Sequence, residues 1–354
     1  MWALDVPGLS ITLIDGYRIV SSKALGVTTA GGSTKVGPRT LFQAASISKP
    51  VAATGALTLV DKGGLELDRD VNTFLRSWRL PENDFTRSEK VTLRRLASHT
   101  AGLNVPSFQG YASGTAVPSI LQILNGQPPS NTPPVRVVHT PGARTNYSGG
   151  GSLVEQLVIM DASGQPFERY MRGAVLDPIG MRNSFFSQPL AGRLAARAAV
   201  GTMYDGRAVD GHWRVHPELA AAGLWTTAED LASFAIEIAL SRKGRSTRVL
   251  SASAIEQMFR KVPNGDVMGF FTDDRTPGLF AHAGSNQGYA CLLIMNSVSG
   301  QGVSIMTNSD NGNIVYDLAS RRIARLFDWS ITFPRPPMEI PPAAKSRLAA
   351  LHNG

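Results

Sequence analysis

The chain has 354 residues, 43% apolar and 18% charged, which suits one large domain or two closely packed ones and excludes a disordered chain. No stretch approaches the ~18 consecutive apolar residues of a transmembrane helix. The single cysteine, Cys291, excludes an internal disulfide and any cysteine-based zinc site. The formal net charge of +8 admits an anionic partner. Yet the densest basic runs, "LRR" at 93–95 and "ASRRIAR" at 319–325, read as solvated helix faces, and no nucleic-acid motif accompanies them. The opening "MWALDVPGLS" lacks a basic stretch and a long apolar run, so no export signal is expected in it. Location stays open: cytoplasmic is the default expectation, and a trimmed periplasmic or secreted form is the alternative.

In chain order, "LSITLID" alternates, Asp15–Gly16 marks a turn, and "YRIVSSKALGV" returns as the second strand of a hairpin. A glycine-containing loop leads to a helix over about 48–62 that stops at Gly63–Gly64. "LELDRDVNTFL" gives a turn and a short amphipathic element. From 76 to 205 the chain is helical, loop-rich and poor in strands. Helices are predicted within 91–103, 117–126, 149–164 and 166–181, with a Pro-rich loop at 127–137. After 205, "TTAEDLASFAIEIALSRKG" has a threonine cap, acids in its first turn and basic residues in its last. "VMGFFTD", "GLFAHAG", "YACLLIMN" and "GVSIMTN" read as successive strands, and "NIVYDLASRRIARLFDW" as a final amphipathic helix. The expected organisation is a discontinuous α/β domain from 1–75 and 206–330, a helical domain at 76–205, and a Pro-rich tail at 331–354 that leaves the domain.

Three stretches carry candidate chemistry. In "FQAASISKPVAATG", Ser46 and Lys49 lie one turn apart on one helix face. A serine at a helix start is an ordinary cap, but a capping box wants Glu or Gln three residues later. A cation in a first turn opposes the helix dipole, so Lys49 is the residue a plain helix start does not explain. A buried lysine there can take the proton of an attacking serine. Ser48 has no such partner, since Val51 follows it. In "RTNYSGGG", Tyr147 precedes a glycine run; the stretch is either a turn with a packed tyrosine or a proton relay. In "FAHAGSNQGYAC", His282 ends a strand and Gly284 and Gly288 permit close backbone approach. His99 reads as bracing a turn, and His139, His212 and His216 fall in loop-like segments. No H-E-x-x-H, G-x-S-x-G or Walker-type loop is present, and neither a metal nor a cofactor is implied.

The order of these motifs resembles the penicillin-recognising serine hydrolases, above all the class C β-lactamase, DD-peptidase and family VIII esterase branch. "LFQAASISKPVAATGALTLVDKGGLELDRDVNTFL", "VTLRRLASHTAGL", "RTNYSGGGSLVEQLV", "VLDPIGM", "AAGLWTTAEDLASFA" and "HAGSNQGY" all look like that family's blocks, and the likeness spans roughly residues 7–328. The resemblance implies an antiparallel sheet flanked by helices, with an inserted, mostly helical domain and the active site between the two. It implies Ser46 as nucleophile, Lys49 as proton acceptor, Tyr147 as relay to the leaving group and His282 beside the site. It also implies an oxyanion hole from the backbone N–H groups of Ser46 and Ser285. Gly149, Gly284 and Asn286 would border the substrate pocket. Two departures stand out. Tyr-x-Asn reads Tyr147-Ser148-Gly149, and Lys-Thr-Gly reads His282-Ala283-Gly284. Both favour a small-molecule acyl ester or amide over a β-lactam. D-alanyl-D-alanine carboxypeptidase, D-aminopeptidase or weak β-lactamase chemistry is the first alternative, and a silent binding protein the second. Substrate identity and oligomeric state are not legible.

Overall fold

The computed structural model describes residues 1–329, 338–340 and 344–347. A hairpin opens the chain: β1 (Gly8–Asp15) and β2 (Arg18–Gly26). Gly16 and Tyr17 both take positive φ, 55° and 61°, as a two-residue hairpin loop with the right twist requires. Then come β3 (Phe42–Gln43), α1 (Ser48–Asp61), α2 (Leu93–Ala97), β4 (Tyr111–Ala112), α3 (Ile120–Asn125), α4 (Gly149–Ser163), α5 (Phe167–Met171), α6 (Asp177–Ile179) and α7 (Gly192–Ala195). The chain closes with β5 (Arg214–Val215), α8 (Leu219–Ala222), β6 (Trp225–Thr226), α9 (Ala228–Arg242), α10 (Ala252–Phe259), β7 (Phe271–Thr272), β8 (Leu279–Asn286), β9 (Tyr289–Asn296), β10 (Gln301–Thr307) and α11 (Gly312–Phe327).

One antiparallel sheet runs β2-β1-β10-β9-β8-β7, so strands from both ends of the chain meet where β1 pairs with β10. Both faces are covered. On β9, Tyr289, Cys291, Leu293 and Met295 face one core, while Ala290, Leu292 and Ile294 face the other. That double burial explains why "YACLLIMN" is apolar throughout rather than alternating. Helix α9 lies on the first face and α11 on the second. The first core continues past the sheet into the helical section, through Leu153, Val158 and Met171. Helix α1 runs through its middle with twelve consecutive buried residues, 48 to 59. A helix that is apolar all round belongs in such a place. We propose the division at residues 76 and 205 as the limit of the helical unit.

Several local expectations shift. "VMGFFTD" forms only the two-residue β7, because Gly269 turns left-handed (φ 76°) and a side chain there would sit 2.8 Å from the Pro50 Cα. Phe270 is instead buried against Phe259 and Phe280. The helix expected over 166–181 widens into a π-turn at Arg172–Leu176, ahead of Pro178, which cannot donate a backbone hydrogen bond. "LRR" is not a solvated face: the Arg94 side chain is only 12% exposed and pairs with Asp68. Much of the Pro-rich tail lies outside the described residues. Of the rest, Met338, Ile340 and Ala344 pack on the second core and Arg347 pairs with Asp5. No helix among the described residues is long and apolar enough to cross a membrane.

Candidate active site

The turn before α1 brings serine and lysine together. Ala45 adopts φ 49°, a left-handed conformation that costs an alanine about 1–3 kcal/mol and recurs where surrounding structure enforces it. Ser46 then sits in a short 3-10 turn, half-buried, and Lys49 in the first turn of α1 with 4% of its surface exposed. The Lys49 Nζ donates to Ser46 Oγ at 3.0 Å and to the Ala221 carbonyl, in α8, at 2.8 Å. No carboxylate among the described residues forms an ion pair with it. Ser48 instead accepts from the Leu224 N–H.

Strand β8 forms one wall. β7 pairs with it only at Phe271↔Ala281 and Thr272↔Phe280, which leaves its outer edge beyond Ala281 unpaired toward Ser46. The approach is close enough to demand glycine at 284. A side chain there would lie 2.3 Å from the Ala44 carbonyl and 3.0 Å from the Ser46 nitrogen. Gly284 is thus a contact behind the serine, and Ser285 is exposed beside it. Asn286 is buried and donates to Gln43 Oε1 (2.7 Å) and the Ala222 carbonyl (3.2 Å), while still bordering a cavity. His282 is buried, with Nδ1 2.6 Å from the Ala283 carbonyl and its ring 5.1 Å from that of Phe271.

Tyr147 places its ring 5.0 Å from Lys49 Nζ. Ser148 caps α4, and the glycines after it admit the 104–108 loop. Gly149 donates to the Pro106 carbonyl, and a side chain on it would lie 3.0 Å from the Phe108 ring. An asparagine at 149 would therefore crowd the Phe108 ring, which would have to shift by a few tenths of an ångström. His99 is the residue that sequence reasoning undervalued. Its ring packs against that of Tyr147, tilted by 42° with centroids 4.3 Å apart, and its Nδ1 accepts from the Ser148 N–H at 3.3 Å. Burial, then the charge of Lys49 and the neighbouring His282, hold it well below the usual histidine range. The ring is neutral, with its proton assigned to Nε2 by the hydrogen bond at Nδ1. Its positive φ of 58° was not readable from "ASHTAG".

Two separate cavities are bordered by neighbours of the serine–lysine pair, though neither is bordered by Ser46, Lys49 or Tyr147 themselves. One, of about 310 Å³, is bordered by His99, Phe271 and His282. The other, of about 780 Å³, is bordered by Phe108, Tyr111, Arg214, Ser285 and Gln287. They share no bordering residue. An apolar groove of about 450 Å³ beside Trp2 has none of these groups.

Behind the site lies a buried polar layer. Glu155 on α4, and His216 and Glu218 just before α8, are almost completely enclosed. Neither ring nitrogen of His216 has a hydrogen-bond partner, the closest approach of His216 to Glu218 is 3.9 Å, and the Glu218 carboxyl faces the Tyr111 hydroxyl without a close hydrogen bond. Burial drives all three toward neutral forms: Glu155 and Glu218 are pushed up to about 8, and His216 down to about 3. Lys49 counters the rise at Glu155 and adds to the fall at His216. Among the described residues no group of three or more His, Cys, Asp or Glu is arranged to hold a metal ion.

Gly284→Ala should lower the unfolding free energy by about 1–3 kcal/mol, the range for overpacking. An unchanged urea midpoint would show that the strand does not press on the serine turn. Glu218 titrates at about 8 when folded against an ordinary 4.5. Below pH ~4.5 both states are protonated. Between ~4.5 and ~8 only the unfolded state ionises, so stability falls as pH rises. Glu218→Gln removes that loss, and its stability advantage over the parent should widen from pH 5 to pH 8. A gap that stays constant across that range would contradict the buried, protonated carboxyl.

Comparison with known proteins agrees with this architecture. The putative penicillin-binding protein PbpX of Bacillus subtilis (strain 168) is 25% identical over 320 residues, covering 89% of this chain and 74% of that protein. The octameric penicillin-binding protein homologue from Pyrococcus abyssi superposes with a TM-score of 0.73 at 24% identity, over 93% of this chain and 75% of that one. The D-amino acid amidase from Ochrobactrum anthropi SV3, complexed with L-phenylalanine, gives 0.72 at 19% identity, over 92% of this chain and 98% of that one. At these identities the two structures share the fold. A family model described as Beta-lactamase matches residues 1–326, and the chain therefore belongs to the beta-lactamase family of serine hydrolases.

Proposed function

We propose that the protein hydrolyses small acyl esters or amides through an acyl-enzyme on Ser46. The observation that carries this reading is the 3.0 Å hydrogen bond from Lys49 Nζ to Ser46 Oγ, made by an amine with no carboxylate partner. In this reading Lys49 takes the Ser46 proton as Oγ attacks the acyl carbon. The bond to the leaving group breaks, and Tyr147 relays the proton from Lys49 to the departing atom, so that both side chains regain their starting forms. Backbone N–H groups of Ser46 and Ser285 donate to the developing oxyanion. Water then attacks the acyl-enzyme, frees the acid and returns Ser46. The closeness of β8 to the Ser46 nitrogen supports that oxyanion assignment. His282 acts as wall rather than as substrate receptor, given its burial and its contact with the Ala283 carbonyl.

The second reading is D-alanyl-D-alanine carboxypeptidase, D-aminopeptidase or weak β-lactamase activity. It is favoured by the retained serine, lysine and tyrosine and by the likeness to the putative penicillin-binding protein of B. subtilis. Gly149, which lacks an amide-binding side chain and is packed against Phe108, argues for the ester reading.

The readings separate on a substrate panel. A short-chain p-nitrophenyl ester, a chromogenic cephalosporin and a D-Ala-D-Ala peptide are offered to the parent and to Ser46→Ala. The ester should be turned over, with kcat/KM falling by about 10³-fold or more in the variant. Cephalosporin or D-peptide turnover at comparable kcat/KM would overturn the ester reading, and Ser46-independent turnover would overturn the mechanism.

A further inference from the structure

The 780 Å³ cavity contains a charge that the proposed chemistry does not use. Arg214 is the only lysine or arginine among the residues bordering it. Its mount is rigid. Its backbone belongs to β5, paired to β4 at Ala112↔Arg214, and its carbonyl accepts from Gln43 Nε2 at 2.8 Å. Gln43 in turn accepts from Asn286 on β8, so a buried amide joins Arg214 to the strand that carries Ser285. The guanidinium is aimed by one bond, Nε to Gln287 Oε1 at 2.6 Å. No carboxylate among the described residues pairs with it. The two acids bordering the same cavity are otherwise engaged. Asp205 takes Arg207 at 2.7 Å. Asp310 accepts from the Gly288 N–H at 2.6 Å, and burial raises its pKa.

We propose that Arg214 binds a carboxylate carried by the acyl part of the substrate, so that the preferred substrates are esters or amides of dicarboxylic acids. This rests on the esterase reading above for the direction of the substrate. In that reading Tyr147 serves the leaving group, and its ring packs against those of His99 and Phe271, which border the smaller cavity. The acyl chain then points into the larger one, toward Ser285 and Arg214. A planar guanidinium with free terminal N–H groups suits a carboxylate in two-pronged contact. Placed there, it recognises the acyl group rather than the leaving group.

The test separates binding from turnover. Monomethyl glutarate and the uncharged methyl valerate are titrated by calorimetry into Ser46→Ala, and into the same protein with Arg214→Gln or Arg214→Lys. The glutarate ester should bind about 10- to 100-fold more tightly than the valerate ester, as expected for a charge-assisted hydrogen-bond pair. Arg214→Gln should abolish that preference, and Arg214→Lys should restore part of it. Equal affinity for the two esters, or a preference that survives Arg214→Gln, overturns the proposal whatever the catalytic result. Turnover of p-nitrophenyl valerate and p-nitrophenyl hydrogen glutarate by the parent chain is measured alongside. Charge-selective binding with no turnover of either ester would sink the esterase reading and leave the Arg214 site standing.

Discussion

A lysine amine with almost no exposed surface, sharing its hydrogens between a serine hydroxyl and a backbone carbonyl, is the contact around which the rest is arranged. An enclosed amine of this kind is costly unless every donor is directed. Three parts of the chain supply its surroundings. The strained Ala45 turn presents Ser46, α8 offers the Ala221 carbonyl, and the Tyr147 ring covers the third side. The position of α8 is fixed from α4, where Gln156 accepts from the Ala220 N–H and donates to the Pro217 carbonyl. One helix thus carries both Ser148, next to Tyr147, and the residue that anchors the carbonyl on Lys49.

Electrostatics around this point are arranged by burial rather than by ion pairs. Glu155, His216, Glu218 and His99 are all driven toward neutral forms. An enclosed layer of neutral titratable groups behind a lysine differs from a salt-bridged one. It leaves the amine facing neutral groups rather than a carboxylate ion pair. Its two carboxyls lower stability as pH rises from ~4.5 toward 8, its two histidines lower stability as pH falls below ~6.5, and the layer is retained in the fold nonetheless.

Much of this was legible because its causes are local. The hairpin followed from alternation and Asp15–Gly16, α9 from its threonine cap and graded charges, and Ser46–Lys49 from their one-turn spacing. What was not legible depends on contacts far apart in sequence. His99 meets Tyr147 across 48 positions through a left-handed backbone that no pattern announces. "WRVHPELAAAG" looks like a loop and a short helix. Packing against α4 and β4 makes His216 and Glu218 buried and Arg214 a cavity residue. Gly149 and Gly284 were read as pocket borders, but their lack of a side chain serves close packing, against Phe108 and against the serine turn.

The central claim is that Ser46, activated by Lys49, is the residue that becomes acylated. Intact-mass and peptide mass spectrometry after exposure to a fluorophosphonate tests it most directly. One adduct per chain, mapped to Ser46, absent in Ser46→Ala and formed about 100-fold or more slowly in Lys49→Met, is the result the account predicts. An adduct on another serine, or equal labelling rates with and without Lys49, would contradict it.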